Sequence, residues 1–218
     1  LHMGGRFYTV DAEQNEAREI KNNVPQAVSL TSKTDERFLG SLGLVHKLND
    51  DWTIRANASQ GYSYPTLQQL FLTTIAGGTV VSGDKNLKPE KSDVFELGTR
   101  WNTNRFMLDA AVYHIWSEDY ILEVEIEDKY SISVPLPNIP NMPPFYNYQM
   151  DTGRFMNVSK VRTVGAEVQA EYYLENTDTA LYVHANTTRR KLDYGNGTTT
   201  TESGTPRFSG RFGVRHGW

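Results

Sequence analysis

Side chains able to do covalent chemistry are scarce in this sequence and poorly spaced for it. There is no cysteine, which excludes disulfides, thiolate nucleophiles and cysteine-held metals. The histidines (His2, His46, His114, His184 and His216) fall on separate segments, and none has an H-x-x-x-H neighbour that would put two imidazoles on one helix face. Carboxylates are many, but nothing pairs them across a cleft. No catalytic residue, metal site or cofactor is therefore expected. Recognition chemistry is better supplied. Tyr62, Tyr64, Gln68, Gln69 and Phe71 crowd one stretch, and Phe145, Tyr146 and Tyr148 lie in the restrained run Pro143-Pro144-Phe145-Tyr146-Asn147-Tyr148-Gln149. Tyrosine and phenylalanine faces with amides between them suit a flat solute such as a catecholate, a porphyrin or a sugar. An aromatic belt at a membrane interface would use Tyr62 and Tyr64 in the same way.

The elements that must position these residues are strands. Period-two alternation recurs along the chain, while helical periodicity is weak. Between Arg105 and Trp116, one face carries Phe106, Leu108, Ala110, Val112, His114 and Trp116; the other carries Met107, Asp109, Ala111, Tyr113 and Ile115. The same pattern appears at 52–59, 94–101, 164–172, 181–186 and 207–215, and further strands are expected near 5–12 and 36–48. That makes about eight antiparallel strands and less than one tenth helix. Short turns fall at Asn49–Asp51, Asn102–Asn104 and Glu175–Asp178, and long loops at about 13–35, 62–91, 124–154 and 192–205. Tight turns alternating with long loops are how outer-membrane barrels are built, with turns on the periplasmic side and loops outside. Trp52 and Trp101 flank short turns on the apolar face, as an interfacial girdle would require.

This pattern predicts Phe95, Trp101, Phe106, Leu108 and Val168 facing lipid, and Arg55, Glu96, Arg100, Asp109, Glu167 and Glu171 facing the lumen. A one-residue slip would invert every one of them. The alternative is a soluble β-sandwich, for example a carbohydrate-binding module, which also alternates and also buries tryptophan. Mixed charges on the polar face and the strict alternation of connection lengths favour the barrel. Composition agrees in part. No apolar run approaches the roughly 18 residues of a membrane helix, and a net charge of −4 offers no case for nucleic acid. Residues 1–10 lack the basic and apolar regions of an export signal, so a mature form or an internal fragment is expected.

Three motifs sharpen the reading. Gln60-Gly61-Tyr62-Ser63-Tyr64-Pro65-Thr66-Leu67 resembles the "G-F-R-A-P-T-L" stretch of TonB-dependent receptors. Asn86-Leu87-Lys88-Pro89-Glu90-Lys91-Ser92, followed by Phe95-Glu96-Leu97-Gly98, resembles their "N-P-x-L-K-P-E-x-S…E-L-G" signature. Asn157-Val158-Ser159-Lys160-Val161-Arg162 with Gly165-Ala166-Glu167-Val168 resembles their "N-x-x-x-x-x-x-G-x-E" strand. Ser63 replaces the arginine of the first motif, and Asp84-Lys85 stands where the asparagine-proline pair would fall. No histidine lies between Gly61 and Glu90, which lowers a haem assignment.

The resemblance covers roughly residues 36–217. It implies that residues 1–218 are part of a barrel of about 22 strands in the outer membrane of a Gram-negative bacterium, without the plug domain and closing strands. A complete small barrel ending at Trp218 is the alternative. The implied activity is uptake of a scarce solute, an iron-siderophore complex first, then haem, a copper complex, cobalamin or a glycan. The implied partners are the lipid bilayer, the solute, and the TonB complex through the missing plug. A non-transport barrel, adhesive or structural, is the other class. Pro65 and Pro89, each lacking an N–H, are expected to bracket a loop free to reach over the pore.

Overall fold

Alternating residues become a single meander of strands in the computed structural model, which describes residues 1–13, 18–21, 24–27, 32–76, 78–135, 145–201 and 206–217. In chain order the elements are β1 (His2–Glu13), β2 (Arg18–Lys21), β3 (Val24–Ala27), β4 (Ser32–Lys47), β5 (Trp52–Ser63), helix α1 (Leu67–Phe71), β6 (Thr73–Ala76), β7 (Thr79–Ser82), β8 (Glu90–Asn102), β9 (Phe106–Pro135), β10 (Phe145–Tyr173), β11 (Thr179–Asp193), β12 (Thr199–Thr201) and β13 (Phe208–His216). Strands β1, β4, β5, β8, β9, β10, β11 and β13 stand side by side in that order, every neighbour antiparallel. These are the eight expected staves. Among the described residues β1 and β13 do not meet, so the sheet is open.

The short turns lie where the sequence puts them, and side chains fix them. Asn49 Oδ1 accepts from the N–H groups of Asp51 (3.0 Å) and Trp52 (2.8 Å), an Asx turn. Thr103 Oγ1 accepts from the Phe106 N–H at 3.0 Å. Asn176 takes a positive φ of 56° between β10 and β11, a conformation its short amide tolerates.

The long loops differ from expectation. Segment 124–154 is mostly strand: β9 and β10 continue past the other staves as a tall hairpin, and residues 136–144, Pro143 and Pro144 among them, lie outside the described residues. Its cause is an alternation of its own, with Leu122, Val124 and Ile126 half-buried between exposed Glu123, Glu125 and Glu127. Lys129 pairs with Asp151 across the ladder. Segment 62–91 holds α1 and the β6–β7 hairpin, and β7 adds in parallel to β10 at Asp151–Arg154. It is not a free loop. Segment 13–35 includes the β2–β3 pair and segment 192–205 includes β12.

Register fixes the two faces. Directly opposed residues share a side, and the pairs Ala58–Phe95, Phe95–His114, Val112–Ala166, Ala166–Thr187 and Thr187–Phe208 carry one face across six staves. Phe7, Phe38, Leu97, Val112, Phe208 and Phe212 on this face are 54 to 88% exposed. A sandwich would bury that face against a second sheet; here it is uncovered, and so large an apolar surface marks contact with something other than water. Trp52 opposes Trp101 at the short-turn end, with the Trp52 Nε1–H donating to Thr99 Oγ1 at 2.6 Å.

Candidate functional site

The polar face is built as a charge network. Arg55 on β5, Glu96 and Arg100 on β8 and Asp109 on β9 lie on it together with Glu167 and Glu171 of β10. Arg55 bridges two carboxylates, its Nε to Glu96 at 3.3 Å and its Nη2 to Asp109 at 2.8 Å, and Arg100 closes on the other Asp109 oxygen at 2.6 Å. Glu96 thus finds an arginine on the neighbouring stave. Glu171 takes Arg215 at 2.8 Å and the Tyr173 hydroxyl at 2.9 Å. Glu167 remains exposed. Arg55, Asp109, Gln169, His184, Asn186 and Arg211 line a shared depression.

Two motif glycines have a steric reason. A Cβ on Gly98 would stand 2.6 Å from the Arg55 guanidinium carbon, so the bare backbone lets Arg55 lie flat on its way to both carboxylates. A Cβ on Gly165 would stand 2.3 Å from the Tyr113 ring. That ring covers the backbone and delivers its hydroxyl to Thr188 Oγ1 at 2.6 Å. Aromatic cover over a strand glycine also holds register.

At the opposite end from the short turns, the aromatic candidates separate into roles. The Tyr62 hydroxyl bonds to Asp35, and its ring lies 5.7 Å from that of Tyr8. Tyr64 and Phe71 pack with Phe155 against a buried cluster of Ala12, Leu70, Leu87 and Ile121, and the Tyr64 hydroxyl is buried without a partner among the described residues. Gln69 caps α1: its Oε1 accepts from the Thr66 N–H at 2.8 Å while Thr66 Oγ1 accepts from the Gln69 N–H, a capping box. Gln68 and Tyr148 are exposed. Phe145 and Tyr146 begin β10 opposite Pro135 and Val134; their side chains lie outside what is described. Tyr62, Tyr64, Gln69 and Phe71 are therefore tied into the rim's framework, and Gln68 and Tyr148 stand on its surface.

The sequence singles out two further motifs without showing that they touch. The Asn157 carboxamide accepts from the Lys88 N–H at 2.8 Å, donates to the Lys88 carbonyl at 2.9 Å and donates to the Asp119 carbonyl at 2.5 Å. It thus offers Lys88 the donor and acceptor a neighbouring strand would. Beside it, the Glu90 carboxylate accepts the Ile121 N–H at 2.7 Å. Pairing of β9 with β8 stops at Glu118, and Asp119 takes a φ of 54°. Glu90 thus serves the N–H that β8 abandons. The second and third motifs meet here, joined as one latch.

Comparison with known proteins agrees with this architecture. The family model described as "TonB dependent receptor-like, beta-barrel" matches residues 1–218. No curated protein sequence matches. Among solved structures, the copper transporter OprC superposes with a TM-score of 0.74 at 18% identity, over 97% of this chain and 29% of that one. The ferric yersiniabactin uptake receptor FyuA of Yersinia pestis gives 0.60 at 19% identity, over 97% and 28%. The Serratia marcescens hemophore receptor HasR, solved with its hemophore HasA and heme, gives 0.60 at 12% identity, over 96% and 34%. The chain spans about a third or less of the length of these receptors, so it corresponds to a portion of their barrels. With a full-length family match over an open antiparallel sheet of the right staves, the chain belongs to the TonB-dependent receptor β-barrel family.

Proposed function

We propose that this chain forms part of the wall of an outer-membrane receptor that takes up a scarce solute, with a metal chelate such as an iron-siderophore complex as the leading class. One observation carries the reading: charged and apolar residues segregate onto opposite faces of a single sheet, and the apolar face is uncovered. Lipid is the natural cover for the apolar face, and the face bearing Arg55, Glu96, Arg100, Asp109, Glu167 and Glu171 then lines the lumen. A charge costs about 2–4 kcal/mol at the lipid midplane of a barrel and much less in a wet lumen. Energy for uptake would come through TonB acting on a plug domain. The wall contributes binding and no chemistry on the solute.

Ligand contact falls to the rim. Gln68 and Tyr148 would touch the solute, with Phe145 and Tyr146 at the far end of the tall hairpin, while Tyr62, Tyr64, Gln69 and Phe71 hold the contact surface in shape. The test is growth of a Gram-negative host on each solute in turn (ferric siderophore, heme, copper complex, cobalamin, glycan) with and without the gene and with TonB deleted. Growth on one class that needs both the gene and TonB supports the reading. A phenotype in adhesion with no uptake defect would replace it by a non-transport barrel. Alanine at Tyr148 or Gln68 in the full-length receptor should weaken binding by about tenfold or more at one of them.

A further inference from the structure

The apolar face changes character at its upper edge, along β10 and β11. Val164 opposes Arg189, Arg162 opposes Lys191 and Lys160 opposes Asp193. These residues share the side of Ala166 and Val168, so Arg189 and Lys191 point the way the lipid-facing residues do, while Arg190 between them points inward over the Tyr120 ring. Arg162, Arg189 and Lys191 are exposed, and among the described residues none of them makes an ion pair.

Height places the group. From Tyr172, beside the short turn, ten residues of β10 lead up to Arg162. At about 3.4 Å per residue and a tilt near 40°, the rise is about 26 Å, where a barrel's apolar band of about 25 Å ends. Trp116 lies directly opposite Arg162 on β9, with its ring 5.4 Å edge-on from Phe95, an interfacial aromatic at the same level.

Like charges directly opposite each other repel, and here Arg162 faces Lys191 with Arg189 on the diagonal. Among the described residues the nearby carboxylates do not relieve them. Asp193 opposes Lys160 and already accepts the Gly195 N–H at 2.9 Å; Glu118 opposes both Lys160 and Lys91, and Asp93 takes the Gln60 amide at 3.4 Å. Three unrelieved cations about 5–8 Å apart, two of them guanidinium forks that match phosphate oxygens, fit one multiply charged anion approached from the bilayer side. We infer that Arg162, Arg189 and Lys191 bind the phosphate groups of a phosphorylated glycolipid of the outer leaflet. This rests on reading the apolar face as lipid-facing.

The test uses the full-length receptor in detergent micelles, titrated with diphosphorylated lipid A, with the same lipid stripped of phosphate, and with inorganic phosphate. Wild type should bind the phosphorylated lipid at least tenfold more tightly than the stripped one, with weakening as salt rises. The triple variant R162Q/R189Q/K191Q should lose that preference, the charge-keeping R162K/R189K should retain most of it, and R211Q on the polar face should not change it. Heat-modifiable gel migration reports whether each variant is folded. Equal binding of both lipids by wild type, or an unaltered preference in a folded triple variant, overturns the proposal. Saturation by inorganic phosphate at the same concentration as lipid A also overturns it, in favour of a general anion site. A receptor that stays soluble and monomeric without detergent would instead overturn the membrane reading beneath it.

Discussion

Replacing Asn157 with alanine should loosen the whole 64–89 segment rather than a single bond. The side chain makes three hydrogen bonds, two to Lys88 and one to Asp119. At about 0.5–1.5 kcal/mol net for each, and with water able to replace the two at exposed Lys88, the loss is about 2 kcal/mol, or roughly thirtyfold in an opening equilibrium. Native-state hydrogen exchange on the full-length receptor reads this directly. The informative amides are those the mutation does not touch: Gly83, bonded to the Leu72 carbonyl at 2.8 Å, Asp84, bonded to Gln69 at 2.8 Å, and Ile121, bonded to Glu90. All three should exchange roughly thirtyfold faster, while Leu174, bonded to Thr179 across the far turn at 2.9 Å, should not change. Asn157→Asp should be worse, because a carboxylate keeps the acceptor and turns it on two carbonyls. If only Lys88 speeds up, the latch does not hold the segment and the reasoning fails. Uniform acceleration across every stave would mean global destabilisation instead.

The other expectations are simpler. Gly165→Ala should cost about 1–3 kcal/mol by overpacking, since the new Cβ meets the Tyr113 ring at 2.3 Å and the Thr187 carbonyl at 2.7 Å, whereas Gly40→Ala, with its nearest atom at 3.9 Å, should change the urea midpoint little. Val112→Arg on the apolar face should lower barrel stability in lipid by about 2–4 kcal/mol and Gln169→Arg on the polar face by far less; equal losses would refute the face assignment. Tyr62→Phe, which removes the hydroxyl bonded to Asp35, should cost about 1.5–3 kcal/mol, read as a lowered urea midpoint; an unchanged midpoint would mean that the bond does not hold the rim.

The wall could be read from the sequence because its information is local. A period of two along 105–116 or 164–172 fixes the face of every residue, and Asn49 and Thr103 announce their turns. The rim could not, because its contacts are long-range. Nothing near Asn157 says that its amide will reach Lys88, and nothing near Tyr62 points to Asp35. The tall hairpin is a different omission: Leu122, Val124 and Ile126 alternate with Glu123, Glu125 and Glu127 as plainly as any stave. Six acidic residues between 118 and 128 are equally what a solvated loop would carry. Aromatic residues were the least informative signal, since Tyr64 and Phe71 stack inward on Leu70 and Leu87 for the same reason that they could have stacked on a ligand.

The parallel pairing of β7 with β10 bears on the order in which this chain can be assembled. Each stave meets the next stave in sequence, so the wall can grow by one hairpin after another. The β6–β7 hairpin has no such freedom. Its partner, Asp151–Arg154, belongs to a strand that follows it by more than sixty residues, and Lys88 waits for Asn157 on the same strand. Between the laying of β5 and the arrival of β10, segment 64–89 lacks both its strand partner and its bonds to Asn157. The wall is therefore raised first and its rim fastened afterwards, with a single amide side chain among the last pieces to close.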